Sequence, residues 1–393
     1  MNDEPWQGRA GQFRTQKIGG EPVRLFYPAD LPPVPPLDLD ANDIDLLEEA
    51  NRALGRLDGL ATVLPDTALF LYMYVRKEAL LSSQIEGTQS SLSDLLLSEH
   101  YEAPGLPLSD VREVSSYVAA MQHGLERMKE GFPLSLRLLR EIHAVLLRTG
   151  RGATLQPGEF RTSQNWVGGS RPGTAFYVPP PAHEVVRLMG ALERFLHDEP
   201  VRTSVLIKAA LSHVQFETIH PFLDGNGRLG RLMITLLLCA EGALREPLLY
   251  LSLFFKQHRD EYYGLLQQVR IEGKWEEWLR FFLRGVLETA DQAVDTARRS
   301  IALFEEHRRK VQAHRRTVGS ALRVHDALKG RPVLSALDAA AVTGLSEPTV
   351  RNCFALLEEL GIAREATGRG RDRLWLYVAY VELLGERTDP LPP

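Results

Sequence analysis

The sequence predicts a mainly α-helical fold, interrupted by a β-hairpin flap and followed by a helix-turn-helix plus β-wing unit. Three observations carry this expectation. Apolar residues recur three to four apart over most of the chain from Asn42 to about residue 300. A glycine- and proline-rich stretch from Pro157 to Pro181 breaks that rhythm. Beyond Leu334, two capping serines precede a segment with glycines at its middle. The 393 residues suffice for two to three domains of about 150 residues each. With 44% hydrophobic and 25% charged residues, the composition is that of a globular chain, not a disordered or fibrous one.

Taken in order, residues 1–40 contain Gly19-Gly20 and a proline-dense stretch from Pro28 to Pro36. Proline fixes φ and removes donors, so this region is expected to be an extended arm laid over the rest. Residues 41–110 form a first helical block, with Leu46, Leu47, Ala50, Leu54 and Leu57 on one face. Residues 111–300 form the central domain, where Val111, Val114, Val118, Met121 and Leu125, then Val185, Leu188, Met189, Leu192 and Leu196, repeat the spacing. Within it, Gly158, Gly168, Gly169 and Gly173 surround Phe176-Tyr177-Val178, which suits a loop or hairpin; a loop of that length is usually functional. Residues 301–317, rich in Glu and Arg, read as a linker helix. Residues 318–393 read as the winged helix. Ser335 caps a helix ending near Thr343-Gly344, Ser346 caps the next with Pro348 in its first turn, and Gly361 closes it. Ala363 to Tyr377, with Gly368 and Gly370 at its middle, fits the wing.

Composition also excludes classes of function. Cys239 and Cys353 provide no disulfide framework, and the start Met1-Asn2-Asp3-Glu4-Pro5 lacks a basic stretch followed by an apolar one, so a cytoplasmic protein is expected. The longest nearly apolar run, Leu232 to Ala240, falls far short of the ~20 residues a membrane span needs. Forty-six Lys and Arg against 51 Asp and Glu give a net charge of −5, so contact with nucleic acid would need a local basic patch.

The most informative stretch is His220-Pro221-Phe222-Leu223-Asp224-Gly225-Asn226-Gly227-Arg228-Leu229-Gly230-Arg231. Gly225 and Gly227 let backbone N–H groups approach a ligand, and the helix that begins there points its positive end into the same space. Arg228 and Arg231, three apart, can bind different phosphate oxygens, so a polyphosphate is the expected guest. Asp224 can hold Mg²⁺ beside such a phosphate. His220, with an ordinary pKa near ~6.5, suits removal of a proton from a hydroxyl.

This run resembles the signature of the Fic family, His-Pro-Phe-x-(Asp/Glu)-Gly-Asn-Gly-(Arg/Lys)-x-x-Arg, at every fixed position. The resemblance extends from the proline arm through Gln164-Asn165-Trp166-Val167-Gly168-Gly169 and Tyr177-Val178-Pro179-Pro180 to the end helices and winged helix. It implies a Fic-type helical bundle and a protein adenylyltransferase that moves AMP from ATP to a Ser, Thr or Tyr hydroxyl of a target protein, itself included. It further implies His220 as the base, Asp224 as the Mg²⁺ ligand, Asn226 and Gly227 at the α-phosphate, and Arg228 and Arg231 at the β- and γ-phosphates. Gly225 and Gly230 fall within the same nucleotide-binding run.

Upstream, Ser82-Ser83-Gln84-Ile85-Glu86-Gly87 resembles the family's inhibitory pattern, (Ser/Thr)-x-x-x-Glu-(Gly/Asn). Thr67 to Ile85 reads as a helix stopped by Gly87, which puts Ser82 and Glu86 on one face. The resemblance implies that Glu86 pairs with Arg231 and holds the enzyme off by default. It also implies that the flap near Ser163 to Tyr177 adds a strand to the target, and that Tyr262 and Tyr263 contact adenine. Arg270 stands where some relatives have an Asn that touches the base. Three further readings stay open: a DNA-binding regulator with a Fic sensor, a Fic enzyme that removes AMP, and one that uses another phosphate-linked donor. From Glu305 on, 14 Lys and Arg face 12 Asp and Glu, a slight asymmetry that leaves the winged helix to DNA, protein docking or homodimer formation.

Overall fold

The computed structural model describes residues 7–63, 67–99, 108–314, 318–368 and 372–391. It begins not with an extended arm but with a small antiparallel sheet in the order β1-β2-β3: β1 (Gln7–Gly8), β2 (Gly11–Ile18) and β3 (Glu21–Pro28). This corrects the expectation for residues 1–40. Gly19 and Gly20 both have positive φ, 60° and 91°, so they make the tight two-residue turn that pairs the strands, with Phe13 opposite Phe26. Only the segment after β3 is extended. Arg9 ties its Pro35 carbonyl at 2.7 Å, and Phe26 N–H donates to Val178 O at 3.1 Å, docking the sheet beside the flap.

Helices follow: α1 (Ala41–Val63), α2 (Thr67–Ile85), α3 (Leu92–Ser98), α4 (Leu108–Lys129), α5 (Leu136–Leu146), α6 (Val185–Leu196), α7 (Val205–Ile219), α8 (Asn226–Ala240), α9 (Ser252–Gln257) and α10 (Arg259–Glu272). The centre is the antiparallel pair α7 and α8. Both are buried on nearly every side, as expected of helices that are apolar all round. The polar residues of α7, Lys208, His213, Gln215 and Glu217, therefore have no solvent to face and must find partners or line a site.

Between α5 and α6 the flap is closed by a single bridge, Val167 to Tyr177, around a short 3-10 turn at Pro172–Thr174, not by a strand ladder. Gly169 is required there, because a Cβ at that position would collide with the Thr174 carbonyl.

The expected linker helix at 301–317 is instead the end of α11 (Trp275–Ala313), one continuous helix of 39 residues. No glycine or proline falls between Val286 and Ala313, and Phe304, His307 and Val311 give its last turns a buried face. Residues 315–317 lie outside the described residues. The C-terminal unit then runs α12 (Val318–Gly330), β4 (Val333–Ser335), α13 (Ala336–Thr343), α14 (Glu347–Glu359), β5 (Ala363–Glu365), β6 (Leu374–Tyr377) and α15 (Val378–Gly385). Ser335 forms a full capping box with Asp338, Ser346 caps α14, and Gly344 and Gly361 take positive φ after the helices. Leu334, expected at the start of a helix, is a strand residue opposite Trp375 in a sheet of order β4-β6-β5. This order of elements is compatible with the winged-helix reading; the wing tip, with Arg369, Gly370 and Arg371, lies outside the described residues. Phe304 packs on Tyr380 at 4.8 Å between ring centres, so the unit is seated on the end of α11.

Candidate active site

The loop between α7 and α8 is fixed from several sides. His220 terminates α7 with φ +49°, a left-handed conformation uncommon for a side chain of its size, and its N–H bonds Phe216 O at 2.9 Å. The His220 carbonyl accepts from Arg161 Nε at 2.9 Å and from Asn165 Nδ2 at 3.3 Å. Asn226 closes the loop reciprocally. Its Oδ1 accepts from Phe222 N–H, and its Nδ2 donates to Phe222 O, both at 2.9 Å. His143 braces the other side, with Nε2 at 2.9 Å from the Asp224 carbonyl and its ring stacked on Phe222 at 3.7 Å.

Gly225, at φ +75°, turns the chain into α8, and the first helical bond runs from Leu229 N–H to Gly225 O. The N–H groups of Asn226, Gly227 and Arg228 thus precede the helical ladder and point out of the helix end. A cleft of about 590 Å³ opens here, within the usual range for a small-molecule site. His220, Asp224, Gly225, Asn226, Gly227, Arg228, Arg231, Tyr262 and Tyr263 all line it. Gly230 does not; it faces Glu217, whose Oε1 would stand 2.5 Å from a Cβ there.

Burial, with Arg270 and Arg161 nearby, pulls the His220 imidazole down to about 4, so the ring is neutral at pH 7. Its Nδ1 is buried without a hydrogen-bond partner. Glu217 behaves oppositely: burial pushes its carboxyl up to about 7 against the pull of Arg231, and Oε1 is unpartnered.

Both arginines of the loop are buried and already engaged. Arg231 Nη2 meets Glu86 Oε1 at 2.6 Å, while its Nε donates to Ser82 Oγ at 2.9 Å and its Nη2 to Ser82 O at 3.0 Å. Burial alone would raise the Glu86 carboxyl, but Arg231, Arg228 and Arg151 outweigh it and hold it below the usual carboxylate range. Glu86 also rests against Gly227, where any Cβ would overlap Oε1. Gly87, at φ +100°, turns the chain away just beyond. Arg228 Nη1 pairs with Glu113 Oε2 at 3.1 Å, while its buried Nη2 makes no hydrogen bond and lies 3.7 Å from Asp224 Oδ1.

The tyrosines divide. Tyr262 is fully buried, stacked on Phe255 at 4.7 Å, with its hydroxyl 2.8 Å from His213 Nε2, so its ring belongs to the core. Tyr263 keeps partial exposure at the cleft, and it is the ring of the pair placed to meet a base. Arg270 also lines the cleft, its guanidinium 3.9 Å from the Tyr177 ring centre.

Asp224 contributes one carboxylate at the cleft, and its Oδ1 already accepts from Gly225 N–H at 2.6 Å. Among the described residues no three His, Cys, Asp or Glu side chains form a metal-binding group. The donor set therefore fits Mg²⁺ only in the mode where substrate phosphate oxygens and water complete the shell.

Sequence reasoning missed Glu113, Arg161, His143 and Glu217. Glu217 carried a signal, a carboxylate inside an apolar run three residues before His220. Glu113 carried none, standing 115 residues from its partner.

Fold and site together define a helical protein with an anion cradle at a helix start, a neutral histidine beside it, and a carboxylate from an earlier helix covering the cradle. The pattern of the Fic/DOC family N-terminal region matches residues 44–126, and that of the Fic/DOC family itself matches residues 133–238. The chain carries both of these Fic/DOC regions. Among curated relatives, "Protein adenylyltransferase Fic" of Drosophila erecta is 28% identical over 258 residues, 65% of this chain and 46% of the relative. Its namesake in Aedes aegypti is 31% identical over 215 residues, 54% of this chain and 39% of the relative. The chain thus spans under half the length of these relatives. Among solved structures, a Fic family protein from Desulfovibrio desulfuricans G20 shares the fold, with TM-score 0.57 and 22% identity over 87% of this chain and 98% of that one. Fic-1 (residues 134–508) of C. elegans aligns with TM-score 0.50 and 23% identity over 66% and 74%.

Proposed function

We propose that this chain is a protein adenylyltransferase that transfers AMP from ATP to a hydroxyl side chain of a protein, and that Glu86 represses it. The observation that carries the reading is the neutral His220 lining the cleft beside the α8 anion cradle. In the reaction, the hydroxyl oxygen of the target attacks the α-phosphorus as its proton passes to the His220 imidazole. The bond from that phosphorus to the β-phosphate bridging oxygen breaks, and pyrophosphate leaves with its charge.

The N–H groups at Asn226 and Gly227 hold the α-phosphate. The Asn226 side chain, spent on Phe222, serves chiefly to shape the loop. Arg228 offers its Nη2, which makes no hydrogen bond and lies 3.7 Å from Asp224 Oδ1, to the terminal phosphates, and Arg231 does so once Glu86 leaves it. Mg²⁺, bound through Asp224 and phosphate oxygens, would neutralise charge on the departing pyrophosphate. The open edge of the flap near Val167 is suited to hold the target segment as an added strand.

The test is transfer of labelled AMP from ATP by the Glu86→Gly chain, to itself and to proteins of a lysate, with product mass identifying the group moved. Transfer is expected in Glu86→Gly and absent in Glu86→Gly/His220→Ala, which still binds nucleotide. Equal transfer by both chains would remove His220 from the chemistry. No helix among the described residues is long and apolar enough to cross a membrane; the reading takes the target from the cytoplasm.

A second reading concerns the C-terminal unit. The first two turns of α14 leave Arg351 and Asn352 exposed, as a recognition helix leaves its base-reading residues. We take DNA as its partner. A gel shift with the full chain should weaken as salt rises; no shift at low salt points to a protein partner or a second copy of the chain.

A further inference from the structure

The inhibitory helix is held on two faces. At the end of α2, Ser82 and, just past the last helical residue, Glu86 lie about one turn apart and grip Arg231, while Gln84, two residues from either, points the opposite way. Gln84 is fully buried, and its amide nitrogen and oxygen are both engaged by the loop that follows and by distant segments. Its Nε2 donates to Ser90 O at 3.0 Å and to Thr388 O at 2.9 Å, and its Oε1 accepts from Lys256 Nζ at 2.7 Å. Lys256 in turn donates to the Asp389 carbonyl. Thr388 and Asp389 belong to the segment that leaves α15, 304 residues from Gln84 in sequence. The last turn of the helix is otherwise slight: Glu86 N–H bonds Ser83 O and Gly87 N–H bonds Gln84 O, both short-range turns before the chain departs at Gly87.

We propose that Gln84 is the positioning residue of the inhibitory glutamate, and that the C-terminal segment 386–389 is the clamp that keeps Glu86 on Arg231. Gln84 acts through α2 and touches no substrate. The C-terminal unit thereby sets the activity of the cleft. A ligand of that unit that pulls the 386–389 segment away frees the end of α2 and uncovers the cradle. This deepens the adenylyltransferase reading and rests on it. The connection is a specific one, since a buried amide accepts no substitute for two donors and one acceptor placed in this way.

The test uses Gln84→Glu in the full chain, which keeps an acceptor for Lys256 but turns a carboxylate toward two carbonyl oxygens. Self-modification with labelled ATP should rise about tenfold above the parent, as expected for loss of one or two buried hydrogen bonds. Gln84→Glu/Glu86→Gly should match Glu86→Gly alone, because the clamp acts only through Glu86. A double variant less active than Glu86→Gly would mark Gln84 as merely structural and overturn the proposal. Gln84→Glu at the parent level beside an active Glu86→Gly chain would overturn it and leave the transferase reading intact. Hydrogen exchange of amides 82–88, independent of activity, should quicken in Gln84→Glu; unchanged exchange sinks the clamp even if no chain transfers AMP.

Discussion

Arg228 and Arg231 stand three residues apart at one helix start, both about 1% exposed, and each is paired with a carboxylate from the N-terminal helices. Their settings differ in where that carboxylate is rooted. Glu113 lies inside α4 with its side chain 6% exposed, whereas Glu86 stands just past the end of α2 with 28% exposed. A partner built into a packed helix is a brace. One hung on a helix end, between a turn and a glycine, can leave without unfolding its neighbours. On the proposed reading, the same ion-pair chemistry yields a fixed brace at Arg228 and a removable cover at Arg231.

Breaking each pair should separate them. Glu86→Gly is expected to raise self-modification by about 10²-fold, the scale on which misplacement of a reacting group by ~1 Å is felt. Glu113→Ala should give no such gain. It leaves buried Arg228 with only the longer contact to Asp224 Oδ1 at 3.7 Å and should lower unfolding free energy by about 3 kcal/mol, seen as a reduced midpoint in urea.

Acid sharpens the contrast. The folded Glu86 carboxyl is held below its ordinary value, so the pair's contribution is present above the ordinary carboxylate range and lost only as pH falls through that lowered value. His220, lowered to about 4, stays neutral above that pH. Neither group titrates between about pH 8 and pH 5, and Glu217, whose carboxyl loses its charge near pH 7, can only strengthen the hold of Arg231 on Glu86 as pH falls, so the ratio of Glu86→Gly to parent activity should not drop over that range. Release of the parent at pH 5 would contradict it. The smallest effect belongs to Arg299→Ala, which removes a half-exposed pair with Glu386 at 2.6 Å on the C-terminal segment. Its contribution of about 0.2–1 kcal/mol should loosen repression by less than about fivefold.

Much of this was legible beforehand because local chemistry demanded it. Twelve consecutive residues spelled the cradle, since a tight turn into a helix start needs its glycines in fixed positions. Ser335, Ser346, Gly344 and Gly361 marked their helix ends by capping alone. What escaped was long-range. The pairing of Glu113 with Arg228 and of Gln84 with the Thr388 carbonyl leaves no trace in spacing, because any helix surface offers such residues. The first sheet is hidden in the sequence because the prolines from Pro28 to Pro36 outweigh the short alternation of buried Val23 and Leu25 around exposed Arg24. The long α11 was divided because charge was read as a linker, although Phe304, His307 and Val311 kept the helical interval.

The contact between Glu86 and Gly227 has a thermodynamic corollary. On the proposed reading, a carboxylate resting at the mouth of α8 and an incoming terminal phosphate contend for one berth, so repression is a contest and not a locked door. By linkage, whatever factor the glutamate takes from nucleotide affinity, bound nucleotide takes from the hold on the end of α2. An adenylyltransferase so built would be graded by the supply of its own donor, with its idle fraction shrinking as triphosphate accumulates.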